Sequence, residues 1–224
     1  MSVWLVRAGG HGEREALALE QGMAVIGWDE LPDLNVSSRD QLEELCRNTY
    51  PNLKQNTIRN WVGQLWAFRQ RIQVIDLVVL PLKTRTAIAI GRVTGPYKFL
   101  PDQPEGARHT RKVEWLQTDI PRTSFDQDLL YSFGAFMTVC QIRRNAAEER
   151  ISSILTGRAV PREVQEDLMP EEITDLEEYA HDQIRAFISQ RFRGHELARL
   201  VNELLTAQGY HTYFPRLDPM EVWT

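Results

Sequence analysis

The chemistry this chain could perform rests mainly on a few basic and aromatic side chains. Arg108, His109, Arg111 and Lys112 fall within five consecutive positions, the densest basic run in the sequence. Such a run beside a loop can neutralise phosphates and give salt-dependent, sequence-blind affinity for nucleic acid. On a strand edge the same charges would instead guard against unwanted pairing. Arg7 and Arg92 are further cationic candidates. Four rings, Trp28, Trp61, Tyr97 and Trp115, are candidates for stacking on a base, since an aromatic face accepts any base and the pocket edge then selects it. Gly27 and Pro96 place Trp28 and Tyr97 at the ends of elements, whereas Trp61 and Trp115 equally fit the packing faces of a helix and a strand.

Other chemistries find less support. Cys46 and Cys140 lie on apolar stretches without CxxC spacing or neighbouring histidines, which points to buried, reduced thiols rather than zinc or a disulfide. The GGHG at 9–12 could present backbone N–H groups to an anion, but no GxxxxGK[ST] and no GxGxxG accompany it, so nucleotide hydrolysis is not expected. His11 and His195 have no GxSxG or HExxH companions. No run approaches the roughly 18 apolar residues of a membrane span, and the N-terminus lacks a secretory pattern, so a cytoplasmic protein without membrane contact is expected. The net charge of −5 is unevenly spread: residues 1–145 hold 18 Lys+Arg against 16 Asp+Glu, and residues 146–224 hold 8 against 15. A basic surface on the N-terminal part is compatible with that distribution.

These side chains need elements to hold them. The spacing predicts a strand over 2–8, a short helix over 13–22 and a second strand over 23–28. Ser38 followed by Gln41 is a capping-box signature for a helix that ends before Pro51. Asn56 reads as the N-cap of a second helix with Ile58, Trp61, Leu65, Phe68 and Ile72 along one face. Two β-branched runs, 74–82 and 86–99, joined by KTR predict a hairpin, and a loop at 100–106 leads to a third strand over 109–121. Residues 125–133 read as a short helix, and 134–143 as a last strand or helix. Helical periodicity returns over 145–157 and 172–192, on either side of an acidic connector bounded by Pro161 and Pro170.

At 194–210, GHELARLVNELLTAQGY, Leu197, Leu200, Val201, Leu204 and Leu205 share one helical face and Gly209 occupies a C-cap position. This stretch and the HTYF after it resemble the first helix and strand of the nuclease domain in Mrr-type restriction endonucleases, of the PD-(D/E)xK superfamily. The resemblance implies a Mg²⁺-dependent DNA endonuclease, and Glu196 matches the acidic residue of the family's first helix. By itself Glu196 is also what a helix N-terminus favours in water. The family's catalytic Asp and (D/E)xK do not follow, since the sequence runs PRLDPMEVWT. Suitable synonymous codons for 215–224, read one frame over, spell SPPGPDGGVD, close to the family's catalytic word. The expectation is therefore a nuclease domain truncated by a frameshift near Phe214. Such a chain would lack cleavage activity and a metal of its own, although an intact relative would use Mg²⁺.

Residues 1–145, with IGW at 26–28, GRVTGPYKF at 91–99 and HTRKVEW at 109–115, resemble the PUA/EVE/YTH-type modules found in front of restriction nucleases. The fold expected is α+β: a PUA/EVE-like mixed β-barrel with inserted helices (1–145), a helical connector (146–192) and the start of a restriction-endonuclease-like domain (193–224). The function expected is recognition of foreign DNA, including modified DNA, in a restriction system. The alternative is a structural or oligomerisation protein with no nucleic-acid role, which forms homo-oligomers through its C-terminal helices.

Overall fold

A computed structural model describes residues 1–157, 184, 187–188, 191–192 and 195–212. The chain divides into two compact units, Met1–Asp175 and Leu176–Thr224. The connector prolines and the end of the expected HTYF strand lie outside the described residues.

In the first unit six strands form one mixed sheet: β1 (Val3–Val6), β2 (Met23–Ile26), β3 (Leu77–Pro81), β4 (Ala87–Phe99), β5 (His109–Pro121) and β6 (Val139–Ile142). Their order is β2-β5-β4-β3-β1-β6, with β1 and β3 parallel and every other pair antiparallel. Every residue of β1 and β3 is buried, as expected of strands covered on both faces. Alternate residues divide between two cores. Trp4, Val6 and Val78 join α2 (Arg39–Thr49) and α3 (Gln55–Trp66) through Leu42, Cys46, Ile58 and Leu65. Val3, Leu5, Leu77 and Val79 join α4 (Gln127–Phe133) and α5 (Ala147–Thr156) through Leu129, Phe133, Ala147 and Ile151. Because α5 contributes Ala147 and Ile151 to this core, the packed unit reaches past residue 145.

The architecture is α+β, as expected, but the sheet is not a closed barrel. β2 and β6 are its edges, and no ladder joins them. β2 and β6 hold four residues each and pair on one side. The face that carries Trp4, Val6 and Val78 is covered by α2 and α3 from the long crossover between β1 and β3, where a barrel would cover it with its own opposite wall.

Local sequence explains most boundaries. Ser38 accepts from the Gln41 N–H at 3.2 Å, while the Gln41 side chain accepts from Ser37 N–H at 2.8 Å, one residue earlier than a standard capping box. Asn56 does not cap α3. That helix starts two residues earlier, behind Lys54, without a side-chain cap, and runs into a π-helical turn over Ala67–Arg71. Helix α1 (Glu15–Glu20) is tied to the hairpin by the buried Glu15, whose carboxylate accepts from Lys83 N–H at 2.6 Å and from the Thr84 hydroxyl at 2.5 Å. Gly91 is needed where β4 meets β5. A Cβ there would lie 2.4 Å from Val113 Cγ1 and 2.8 Å from the Trp115 ring.

In the second unit, α6 (His195–Ala207) ends as its sequence predicts. Gly209 has φ +87°, its N–H reaches Thr206 O at 3.0 Å, and Tyr210 N–H reaches Leu205 O at 3.0 Å, a Schellman pair. Leu197, Val201, Leu204 and Leu205 are exposed on this helix.

Candidate functional site

Three aromatic rings meet where the loop after β2 passes the end of α2 and the start of α3. Trp61 of α3 takes Trp28 edge-on, with centroids 5.7 Å apart and planes at 74°. Tyr50, at the C-cap of α2, meets the same ring at 5.2 Å and 87°. The rings form a corner in a cavity of about 480 Å³ that also takes in Arg7, Arg14, Glu30, Lys83 and Phe136. That volume lies within the roughly 300–1,000 Å³ of small-ligand sites. Phe136 is 69% exposed, a large ring at the wall with little cover of its own.

Polar groups around the corner carry definite charges. The Tyr50 hydroxyl donates to Glu30 at 2.8 Å. This bond draws the Glu30 carboxyl below its ordinary range, and burial together with Glu30 pushes the Tyr50 phenol up. Near neutral pH Glu30 therefore only accepts hydrogen bonds. The Arg14 guanidinium lies directly over Gly106, where any Cβ would collide with it. Arg7 is buried and donates to Phe133 O at 2.9 Å and Ala135 O at 3.1 Å, so it also braces the segment that carries Phe136.

Trp28 is held in the left-handed region, at φ +70°, which a bulky residue adopts only when its surroundings enforce it. Its carbonyl accepts from Leu31 N–H at 2.9 Å and contacts His109 Nε2 at 3.2 Å. A carbonyl can only accept, so the His109 proton resides on Nε2 and Nδ1 is the acceptor. Tyr97 therefore donates its hydroxyl to Nδ1 at 2.9 Å, and its oxygen accepts from Leu34 N–H at 3.1 Å. Burial lowers the His109 pKa and keeps the ring neutral. Tyr97 and His109 thus form a relay behind Trp28 rather than a stacking surface.

The other sequence candidates scatter. Arg111 is 3% exposed and donates to the backbone oxygens of Phe68, Arg69 and Gly95, which terminates the turn after α3; burial lowers its pKa to about 10. Arg108 is half-buried, Lys112 is exposed and His109 is fully buried, so the basic run does not form one charged surface. Trp115 lies over Gly91 and donates its indole N–H to Ala18 O at 2.9 Å, a packing role. Arg92 is exposed in a separate cleft of about 250 Å³ beside Ser152 and Leu155 of α5. Glu196 is exposed in the first turn of α6, in the second unit. Among the described residues no three His, Cys, Asp or Glu side chains gather where a metal ion could sit. Of the sequence candidates the structure brings Arg7, Trp28 and Trp61 together. Tyr50, Glu30 and Arg14 were missed, although Glu30 stands two residues from Trp28 and Tyr50 directly precedes the helix-ending Pro51.

Fold and site together define a two-sided α+β sheet module with an aromatic corner beside one edge strand. Residues 4–141, from β1 into β6, match the family described as Domain of unknown function (DUF8426), and the chain belongs to that family. No curated protein matches the sequence. Among the described residues no helix is long and apolar enough to cross a membrane.

Proposed function

We propose that the first unit recognises DNA by taking an extruded base into the corner of Trp28, Trp61 and Tyr50, as the reading module of an Mrr-type restriction system. The observation that carries this reading is the corner itself: large rings set at right angles, with Trp28 locked at positive φ. A planar base stacked on one ring meets the next ring with its edge. Glu30, ionised and able only to accept, favours a base edge that donates, such as the exocyclic amine of cytosine or adenine. Arg14 and Lys83 line the same cavity and suit the adjoining phosphates.

This proposal includes the finer likeness to PUA/EVE-type readers and the recognition of modified bases. In it, binding requires no metal. Mg²⁺ belongs to cleavage by an intact nuclease domain. The test is a fluorescence-anisotropy titration of the full chain with duplexes carrying methylated or unmethylated cytosine and adenine. Stacking contributes about 1–3 kcal/mol per base, so Trp28→Ala or Trp61→Ala should weaken the preferred duplex about tenfold or more. Equal affinity in these variants would defeat the reading.

A second reading rests on α6, whose exposed Leu197, Val201, Leu204 and Leu205 suit self-association of the chain. It is compatible with the first, since DNA readers commonly act as dimers.

A further inference from the structure

A second cavity, of about 370 Å³, shares its wall with the aromatic one. From α3, Trp61 lines the first cavity while Asn60, Gly63 and Gln64 line the second. The segment leading into β6 divides the same way, with Phe136 and Thr138 on one side and Met137 and Val139 on the other. The two cavities are therefore lined by adjacent residues of the same helix and of the same segment before β6.

Among the described residues the second cavity is lined by three arginines, Arg59, Arg71 and Arg143, and by no carboxylate. Arg71 and Arg143 share a neutral partner, the Gln141 side-chain oxygen, at 2.7 and 3.0 Å. Arg71 also lies 5.2 Å from the centroid of the Trp4 ring. These contacts orient the guanidiniums without cancelling their charge. Arg59 is exposed and has no hydrogen-bond or ion-pair partner among the described residues. Guanidinium groups held by neutral partners beside open space suit phosphate oxygens, which they bind in bidentate fashion.

We infer that the cleft of Arg59, Arg71 and Arg143 is the track for the sugar–phosphate backbone of the strand whose base enters the aromatic cavity. The inference rests on the proposed base reading. It gives these arginines a sequence-blind share of the affinity, with discrimination left to the rings of the first cavity. The basic run at 108–112 has no part in it.

The experiment measures duplex affinity of the full chain over a series of salt concentrations. Each neutralised phosphate contributes about 0.9 to the slope of log K against log salt. The double variant Arg59→Ala, Arg143→Ala should therefore lose about two units of slope and about tenfold in low-salt affinity. It should keep the wild-type ratio between methylated and unmethylated duplexes. The pair Arg59→Lys, Arg143→Lys should retain the slope, and Arg59→Gln alone should lose about one unit whatever the double variant does to folding. A wild-type slope in the alanine and glutamine variants, with Trp28→Ala still weakening binding, overturns the track and leaves the base pocket standing. No binding by the wild-type chain at low salt overturns both.

Discussion

The hydrogen bonds on the two ring nitrogens of His109 fix its proton and so fix the carbonyl of Trp28. Because burial lowers its folded pKa below the ordinary 6.5, the unfolded chain binds the extra proton first as pH falls. The stability that neutral His109 contributes is present above about pH 6.5 and is lost as pH drops through that value towards the folded pKa. Thermal melts between pH 8 and pH 5 should show a fall in the wild-type chain that is smaller in His109→Gln, whose amide can still donate to Trp28 but does not titrate. An identical pH dependence in the two would exclude His109 as the source. Arg111 makes a contrasting prediction. Arg111→Leu leaves backbone oxygens after α3 without their charged donor and should cost about 3 kcal/mol in a denaturant titration, while the salt slope for DNA stays at the wild-type value. A lowered slope in a folded Arg111→Leu chain would return this residue to the DNA surface.

Strand period explains what the basic run concealed. In β5 the side chains of His109, Arg111 and Val113 share one face, and Val113 is a core residue, so two of the four basic-type residues had to point inward. That information was present in the alternation; counting charges within five positions discarded it. The strands themselves were legible, since β-branched runs bounded by turn residues gave β3, β4 and β5 almost to their ends. Asn56 misled because a good capping residue is only a local preference, and α3, packed through Ile58 and Leu65, starts two residues further back. Gly91 belongs with the same elements. Gly91→Ala must displace Val113 or Trp115 and should cost about 1–3 kcal/mol, read as an earlier denaturation midpoint. An unchanged midpoint would mean that the β4–β5 crossing is looser than its spacing implies.

For the molecule as a whole, topology was the least legible level. Nothing in local pattern shows that β1 pairs in parallel with β3 across more than seventy residues, or that β2 and β6 end as the two edges of the sheet. The aromatic corner was half legible for the same reason. Trp28 and Trp61 were identifiable by type, but Tyr50 and Glu30 join them only once the crossover helices have docked. In the second unit, the leucine face of α6 was read directly from its spacing. If that face associates, sedimentation should show a dimer that Val201→Asp or Leu204→Asp converts to monomer; a wild-type monomer at tens of micromolar would remove the second reading.

The central claim is that the corner of Trp28, Trp61 and Tyr50 receives a DNA base. The most direct measurement is anisotropy of a labelled duplex titrated with the full chain and with Trp28→Ala, using methylated and unmethylated cytosine and adenine at low salt. The account predicts binding by the wild-type chain that discriminates between bases, and a loss of about tenfold in Trp28→Ala that erases the discrimination. Wild-type affinity and discrimination in Trp28→Ala, or no binding by either protein, would contradict it.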